Sequence, residues 1–173
     1  YAVVVGGVNV DIGGRSFAPL VEADSNPGVV TTSLGGVGRN IAHNMSLLGL
    51  DVRLLTAYGD DLHGQQAAAV CSQQGIDLSH ALQVPGGTTS TYLYLAAPDG
   101  EMVLAVSDMA ICEKITPEYL ASLRSVLDNA QVVVADANIP AQSLAYLAEN
   151  LTVPLFVDPV STAKAEKLRP VLG

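Results

Sequence analysis

At 173 residues the chain can bury one good core but is too short for two ordinary domains and a linker, and 49% hydrophobic against 14% charged residues suits a sheet covered by helices on both faces. A formal net charge of −9, from 8 basic and 17 acidic residues, would repel a phosphate backbone, which argues against nucleic acid as a partner. No apolar run reaches the roughly 20 residues that span a bilayer, and Tyr1 to Val10 lacks the charged front of a signal peptide, so no membrane partner and a cytoplasmic location are expected.

In chain order, Ala2 to Asp11 reads as one buried parallel strand ending in polar groups, which puts Asp11 where ligands usually sit in such sheets. Residues 12–34, rich in Gly, Ser, Pro and Thr, read as a ribbon that leaves the core. Ile41, Met45 and Leu48 recur at helical spacing from Gly38 to Leu48, and Gly49 ends that helix. A strand over Val52 to Ala57 and a helix from about Gly64 to Gln74 follow. Thr88 to Ala97 and Met102 to Val106 flank the turn signal Pro98-Asp99-Gly100 and predict a hairpin.

Beyond the hairpin, Thr116-Pro117 predicts a helix start whose buried face is Leu120, Leu123 and Leu127. Val132 to Asp136 is a buried strand, Pro140 to Glu149 a helix, Leu155 to Asp158 another buried strand, and Ser161 to Leu168 the start of a further helix. Strands alternating with helices at this spacing give an α/β fold with a parallel sheet. The ribbon of 12–34 and the hairpin of 88–107 are expected to form a small β-sheet lid, which is also a candidate homodimer contact because its alternating apolar residues need cover. The chain does not begin with methionine and ends just after a helical pattern, so it is expected to be part of a longer protein.

The chemistry-bearing residues are few. Gly35-Gly36-Val37-Gly38-Arg39-Asn40 stands where a loop enters a helix, so its glycines allow a close ligand and its amides face a polar one. A dinucleotide fingerprint fails, because the third glycine's place after Gly36-Val37-Gly38 is taken by Ile41, and that disfavours a nicotinamide-dependent oxidoreductase. A P-loop fails because no lysine follows a glycine. Asp11, acceptor-only when ionised, can take hydrogen bonds from two neighbouring donors of a polar ligand. Asn138 suits either a helix cap or a ligand contact. Arg39 could screen phosphate charge, although a surface salt bridge is the commoner fate of such a residue. Cys71 and Cys112 read as reduced thiols, and His43, His63 and His80 lack paired spacing.

The string Gly35-Gly36-Val37-Gly38-Arg39-Asn40-Ile41-Ala42, followed by Gly49 and Gly59, resembles the first signature of the PfkB/ribokinase family. Asn9-Val10-Asp11, Gly59-Asp60-Asp61 with Gly64, the hairpin and Asp136-Ala137-Asn138 fall in the family's order. Ala23-Asp24-Ser25-Asn26-Pro27-Gly28, Gly100-Glu101-Met102, Asp108-Met109 and Val157-Asp158-Pro159-Val160-Ser161 are most similar to its pseudouridine kinase branch. The resemblance implies a ribokinase-like, Rossmann-like fold and an enzyme that uses ATP and Mg2+ to phosphorylate a hydroxymethyl group on a small-molecule sugar or nucleoside. It implies that Gly35, Gly36 and Asn40, with Asp11 and Asn138, make the substrate site, and that Asp158 stands toward the magnesium or phosphate side or behind it. The family's Gly-Ala-Gly-Asp loop, which supplies the catalytic base, does not occur, so residues 1–173 read as the amino-terminal part. The base and the carboxyl-terminal ATP-binding part are expected beyond Gly173, and this chain alone is expected to be inactive. A non-catalytic sugar- or riboside-sensing domain would share every feature present.

Overall fold

The computed structural model describes residues 1–171, and the expectation about the chain's end at Gly173 lies outside them. In chain order the elements are β1 (Ala2–Val5), β2 (Asn9–Ser16), β3 (Gly28–Gly35), α1 (Val37–Leu47), β4 (Val52–Leu55), β5 (Ala57–Gly59), α2 (Leu62–Gln73), β6 (Ile76–Asp77), β7 (Leu82–Val84), β8 (Thr91–Ala96) and β9 (Met102–Asp108). A 3-10 turn (Ala110–Lys114) leads to α3 (Pro117–Ser122), α4 (Arg124–Asp128), β10 (Val132–Asp136), α5 (Ala141–Asn150), β11 (Leu155–Asp158), α6 (Thr162–Ala165) and a final 3-10 turn (Glu166–Val171).

The main sheet is parallel, in the order β11-β10-β1-β4-β6. Successive side chains of a strand point to opposite faces, so β1 feeds two cores. Val3 and Val5 pack with Leu55, Val133 and Ala135 against Leu120 of α3, Leu127 of α4 and Leu144 and Leu147 of α5. Val4 packs with Val52 and Leu54 against Ala42 of α1 and Cys71 of α2 on the other face. Fully burying one such Val or Leu contributes roughly 1.5–3 kcal/mol, and the continuous apolar runs of β1 and β10 follow from cover on both sides.

A separate four-stranded sheet has the order β3-β2-β8-β9, in which β2 pairs antiparallel with β3 and parallel with β8. The ribbon and the hairpin therefore join in one body. Leu93, Leu95, Leu104 and Val106 on the same face of β8 and β9 are exposed, as is Val30 of β3.

Four expected elements come out differently. The strand over Ala2 to Asp11 breaks at Gly6-Gly7-Val8, and its second half, with Asp11, belongs to the small sheet. A Cβ at Gly6 would lie 2.5 Å from Asp136 Oδ2, so only glycine lets the chain turn there beneath β10. Val52 to Ala57 breaks at Thr56, and β5 pairs with β7 in a two-stranded sheet of its own. The helix after Thr116 divides at Leu123, whose N–H bonds back three residues to the Leu120 carbonyl and tightens the turn. The strand Leu155–Asp158 is not buried: among the described residues β11 is a sheet edge, and Phe156 is 62% exposed.

Asp61 ties the helical layer to the small sheet. One carboxylate oxygen accepts the Gly64 N–H at the start of α2 and the Thr89 hydroxyl, and the other accepts the Thr89 N–H at 2.9 Å. Partial burial pushes this carboxyl up, but the bonds from Thr89 and Gly64 outweigh it and hold the carboxyl below its ordinary value. A depressed folded-state value stabilises above the unfolded value, near about 4, and that contribution is lost as pH falls through the folded one. Asp61→Ala should cost about 1–2 kcal/mol at pH 7, and the difference in melting temperature from the parent should shrink as the pH is lowered toward 3. Urea and thermal melts at several pH values check this.

Candidate functional site

A cleft of about 330 Å³ opens where the carboxyl ends of the main-sheet strands meet the base of the small sheet. The small sheet contributes Asn9 and Asp11 from β2, Tyr92 from β8 and Ser107 from β9. Gly36, Val37 and Asn40 come from the start of α1, and Asn138, Val160 and Lys164 from the segments that follow β10 and β11. This is the place at which open α/β sheets bind ligands.

Asp11 lies on the inner face of β2, opposite Ser33 of β3 and Tyr92 of β8. The buried Asn9 amide donates to Asp11 Oδ1 at 2.6 Å and aims the carboxylate. A Cβ at Gly35 would lie 2.2 Å from Asp11 Oδ2, so Gly35 makes room for that carboxylate rather than lining the cleft itself. Gly36 does line it, with φ at +97°, and a Cβ there would lie 2.3 Å from the Gly7 carbonyl oxygen. These two glycines are thus needed first for close contacts within the protein, Gly35 with the Asp11 carboxylate and Gly36 with the backbone of Gly7 and Val8.

The amides at the start of α1 are also taken by the protein. Gly38 N–H donates to Asp136 at 2.7 Å, Arg39 N–H to the Gly7 carbonyl at 3.1 Å, and Asn40 N–H to the Gly36 carbonyl at 2.8 Å. The expected row of outward-facing amides is therefore used within the fold, and α1 offers the cleft the exposed Asn40 side chain instead.

Asp136 entered the sequence analysis only as the end of a strand in family order, with no role of its own, yet it organises the site. Its side chain is fully buried at the end of β10; Oδ2 accepts N–H groups from Gly7 at 2.9 Å and Gly38 at 2.7 Å, and Oδ1 accepts that of Asn138 at 2.8 Å. Burial holds its carboxyl above its ordinary value, outweighing those three donors, which pull it down. Asn138 does not cap α5, whose N-cap is Pro140 with no side-chain cap; it lines the cleft, and its Oδ1 accepts from Lys164 Nζ. Lys164 brings a cation to a wall that sequence reasoning left neutral, and the Ser161 hydroxyl that accepts its N–H was the signal that a helix turn begins there.

Arg39 makes no surface salt bridge among the described residues. It is 7% exposed, and its guanidinium donates to the carbonyls of Leu34 and Gly35, clamping the end of β3 to α1. Burial lowers its pKa while Cys71 and Asp11 pull the other way. Asp158 does not line the cleft; its Oδ1 accepts the Val160 N–H at 2.7 Å. Cys71 and Cys112 are buried free thiols whose pKa burial pushes up to about 11, which makes them poor nucleophiles at neutral pH.

With the site assembled, comparison with known proteins decides the family. Residues 1–172 match the family described as pfkB family carbohydrate kinase. The chain belongs to that family. The pseudouridine kinase of Escherichia coli (strain K12) is 46% identical over 170 residues, which cover 98% of this chain and 54% of the relative. The guanosine-inosine kinase of Exiguobacterium acetylicum is 28% identical over 156 residues, covering 88% and 52%. The solved structure of a carbohydrate kinase from Agrobacterium tumefaciens superposes with a TM-score of 0.88 at 30% identity, covering 99% of this chain and 57% of that one. The chain therefore spans about half the length of the curated relatives it matches, and the family membership establishes the ribokinase-like fold.

Asp136→Asn should show how far the site depends on its buried anchor. An amide has one acceptor atom where the carboxylate has two, so an NH2 group would face at least one of the backbone donors. The variant should lose about 2–3 kcal/mol of unfolding free energy in denaturant melts, although the side chain keeps its size.

Proposed function

We propose that this chain supplies the acceptor site of an ATP-dependent kinase that phosphorylates a hydroxymethyl group on a sugar or nucleoside, with a pseudouridine-like riboside the favoured substrate. The observation that carries the reading is the convergence of Asp11, held by Asn9, with Asn40, Gly36 and Asn138 on one cleft between two sheets. An ionised carboxylate accepts from two adjacent hydroxyls, and two amides can each donate and accept, which is the complement of a polyol. The match to pseudouridine kinase over nearly the whole chain supports the riboside.

Mg2+ is usually held by one or two carboxylates together with substrate phosphates and waters, and among the described residues no group of three or more His, Cys, Asp or Glu side chains could form an all-protein metal site. Asp158 alone, with one oxygen already occupied, does not make one, and no phosphoryl step is derived through these residues. Their work is to bind and orient the acceptor. In the same reading the small sheet acts as a lid that excludes water from the transfer, and its exposed apolar outer face is a contact between two copies of the protein.

Asp11→Asn in the complete protein tests the assignment. The amide retains one acceptor for Asn9 but loses the charge, so affinity for the sugar or riboside should fall by about 2–3 kcal/mol, or roughly 30- to 150-fold in Kd, with melting nearly unchanged. Calorimetric titration measures this, and an unaltered Kd would remove Asp11 from the site.

A further inference from the structure

The cleft has two chemistries, and sugar recognition accounts for only one. Beside the polar groups of Asp11 and Asn138 stand Tyr92, Met109 and Val160, and Tyr92 is the one aromatic side chain among the described residues that line it. A polyol gains little from that side. We propose that Tyr92 is the platform on which the planar base of a riboside stacks, and hence the residue that separates nucleosides from free sugars; the proposal rests on the riboside-kinase reading above.

Three observations carry it. Tyr92 of β8 is the cross-strand partner of Asp11 of β2, and adjacent strands lie only about 4.8 Å apart, so Tyr92 is within reach of the substituent on the first carbon of a furanose held through its hydroxyls at Asp11. The ring is held in advance, because its hydroxyl donates to Met102 Sδ at 3.3 Å and the Tyr94 ring lies 6.0 Å away at a 36° tilt. Little side-chain freedom then remains to be lost on binding. The third is exposure: the side chain is half-buried, with the cleft in contact with it. Stacking on an aromatic face does not depend on how a base is linked, so Tyr92 favours nucleosides over ribose without separating carbon-linked from nitrogen-linked bases.

The test titrates the complete protein, with Tyr92→Leu and Tyr92→Phe, against pseudouridine, uridine and ribose. Tyr92→Leu should weaken both nucleosides by about tenfold or more and leave ribose unchanged, whereas Tyr92→Phe, which keeps the ring but loses the bond to Met102, should weaken the nucleosides by no more than about threefold. In the unsubstituted protein the ultraviolet absorption of the base should fall on binding, which reports stacking even if the leucine variant fails to fold. Equal weakening of ribose and nucleosides, unchanged nucleoside affinity in Tyr92→Leu, or no change in base absorption would each overturn the proposal. If the unsubstituted protein binds ribose but neither nucleoside, the riboside reading itself falls and takes this proposal with it.

Discussion

The Asp136 carboxylate, sealed from solvent at the end of β10, accepts N–H groups from Gly7, Gly38 and Asn138. Those donors belong to the link from the main sheet into the small one, to the start of α1 and to the turn after β10. A buried carboxylate with no donors would be driven to its neutral form, so the three amides and the charge require one another. The glycines follow from this arrangement. A Cβ at Gly6 would strike Asp136 itself, and one at Gly38 would come within 2.8 Å of the Gly6 Cα, so backbones must touch here for the amides to reach.

From that knot the cleft inherits its two walls. Asn138, whose N–H is held by Asp136, presents its side chain from the main sheet, while Asn9 and Asp11 stand two and four residues beyond Gly7 on the small sheet. Arg39 adds a second link, from the first turn of α1 to the last carbonyls of β3. Since Gly35 of β3 lies against the Asp11 carboxylate, the clamp made by Arg39 also fixes where that carboxylate can sit. Burying a guanidinium costs desolvation, and the bonds from Nε and Nη2 to the two carbonyls offset part of it.

Much of this was legible in the sequence because it depends on local pattern. Alternating strands and helices, Thr116-Pro117 as a helix start and the hairpin around Pro98-Asp99-Gly100 each have a short-range cause. The strand break at Gly6-Gly7 did not show, because a continuous apolar run looks the same whether one sheet or two receive it, and the reason for the break lies 129 residues away in Asp136. Arg39 was misread for a related reason: composition places arginine outside, and only the fold shows two carbonyls facing it. Lys164 and Tyr92 reach the cleft from distant elements, and nothing in the residues around them marks a shared wall.

Asp158 and Val160 show why distance from the cleft does not make a residue idle. Val160 lines the wall with φ at +63°, a conformation that a β-branched residue adopts only under constraint, at a cost of about 1–3 kcal/mol. The constraint is visible: its N–H is held by Asp158 Oδ1, and Ser161 just beyond caps α6. Strain of that size persists where the surroundings over-determine the backbone. The Asp158 carboxylate at the end of β11 and the α6 turn together hold Val160 in place, and the same turn delivers Lys164 to Asn138. Strand β11 thus shapes the cleft through backbone geometry, and its carboxylate works on the protein's own chain.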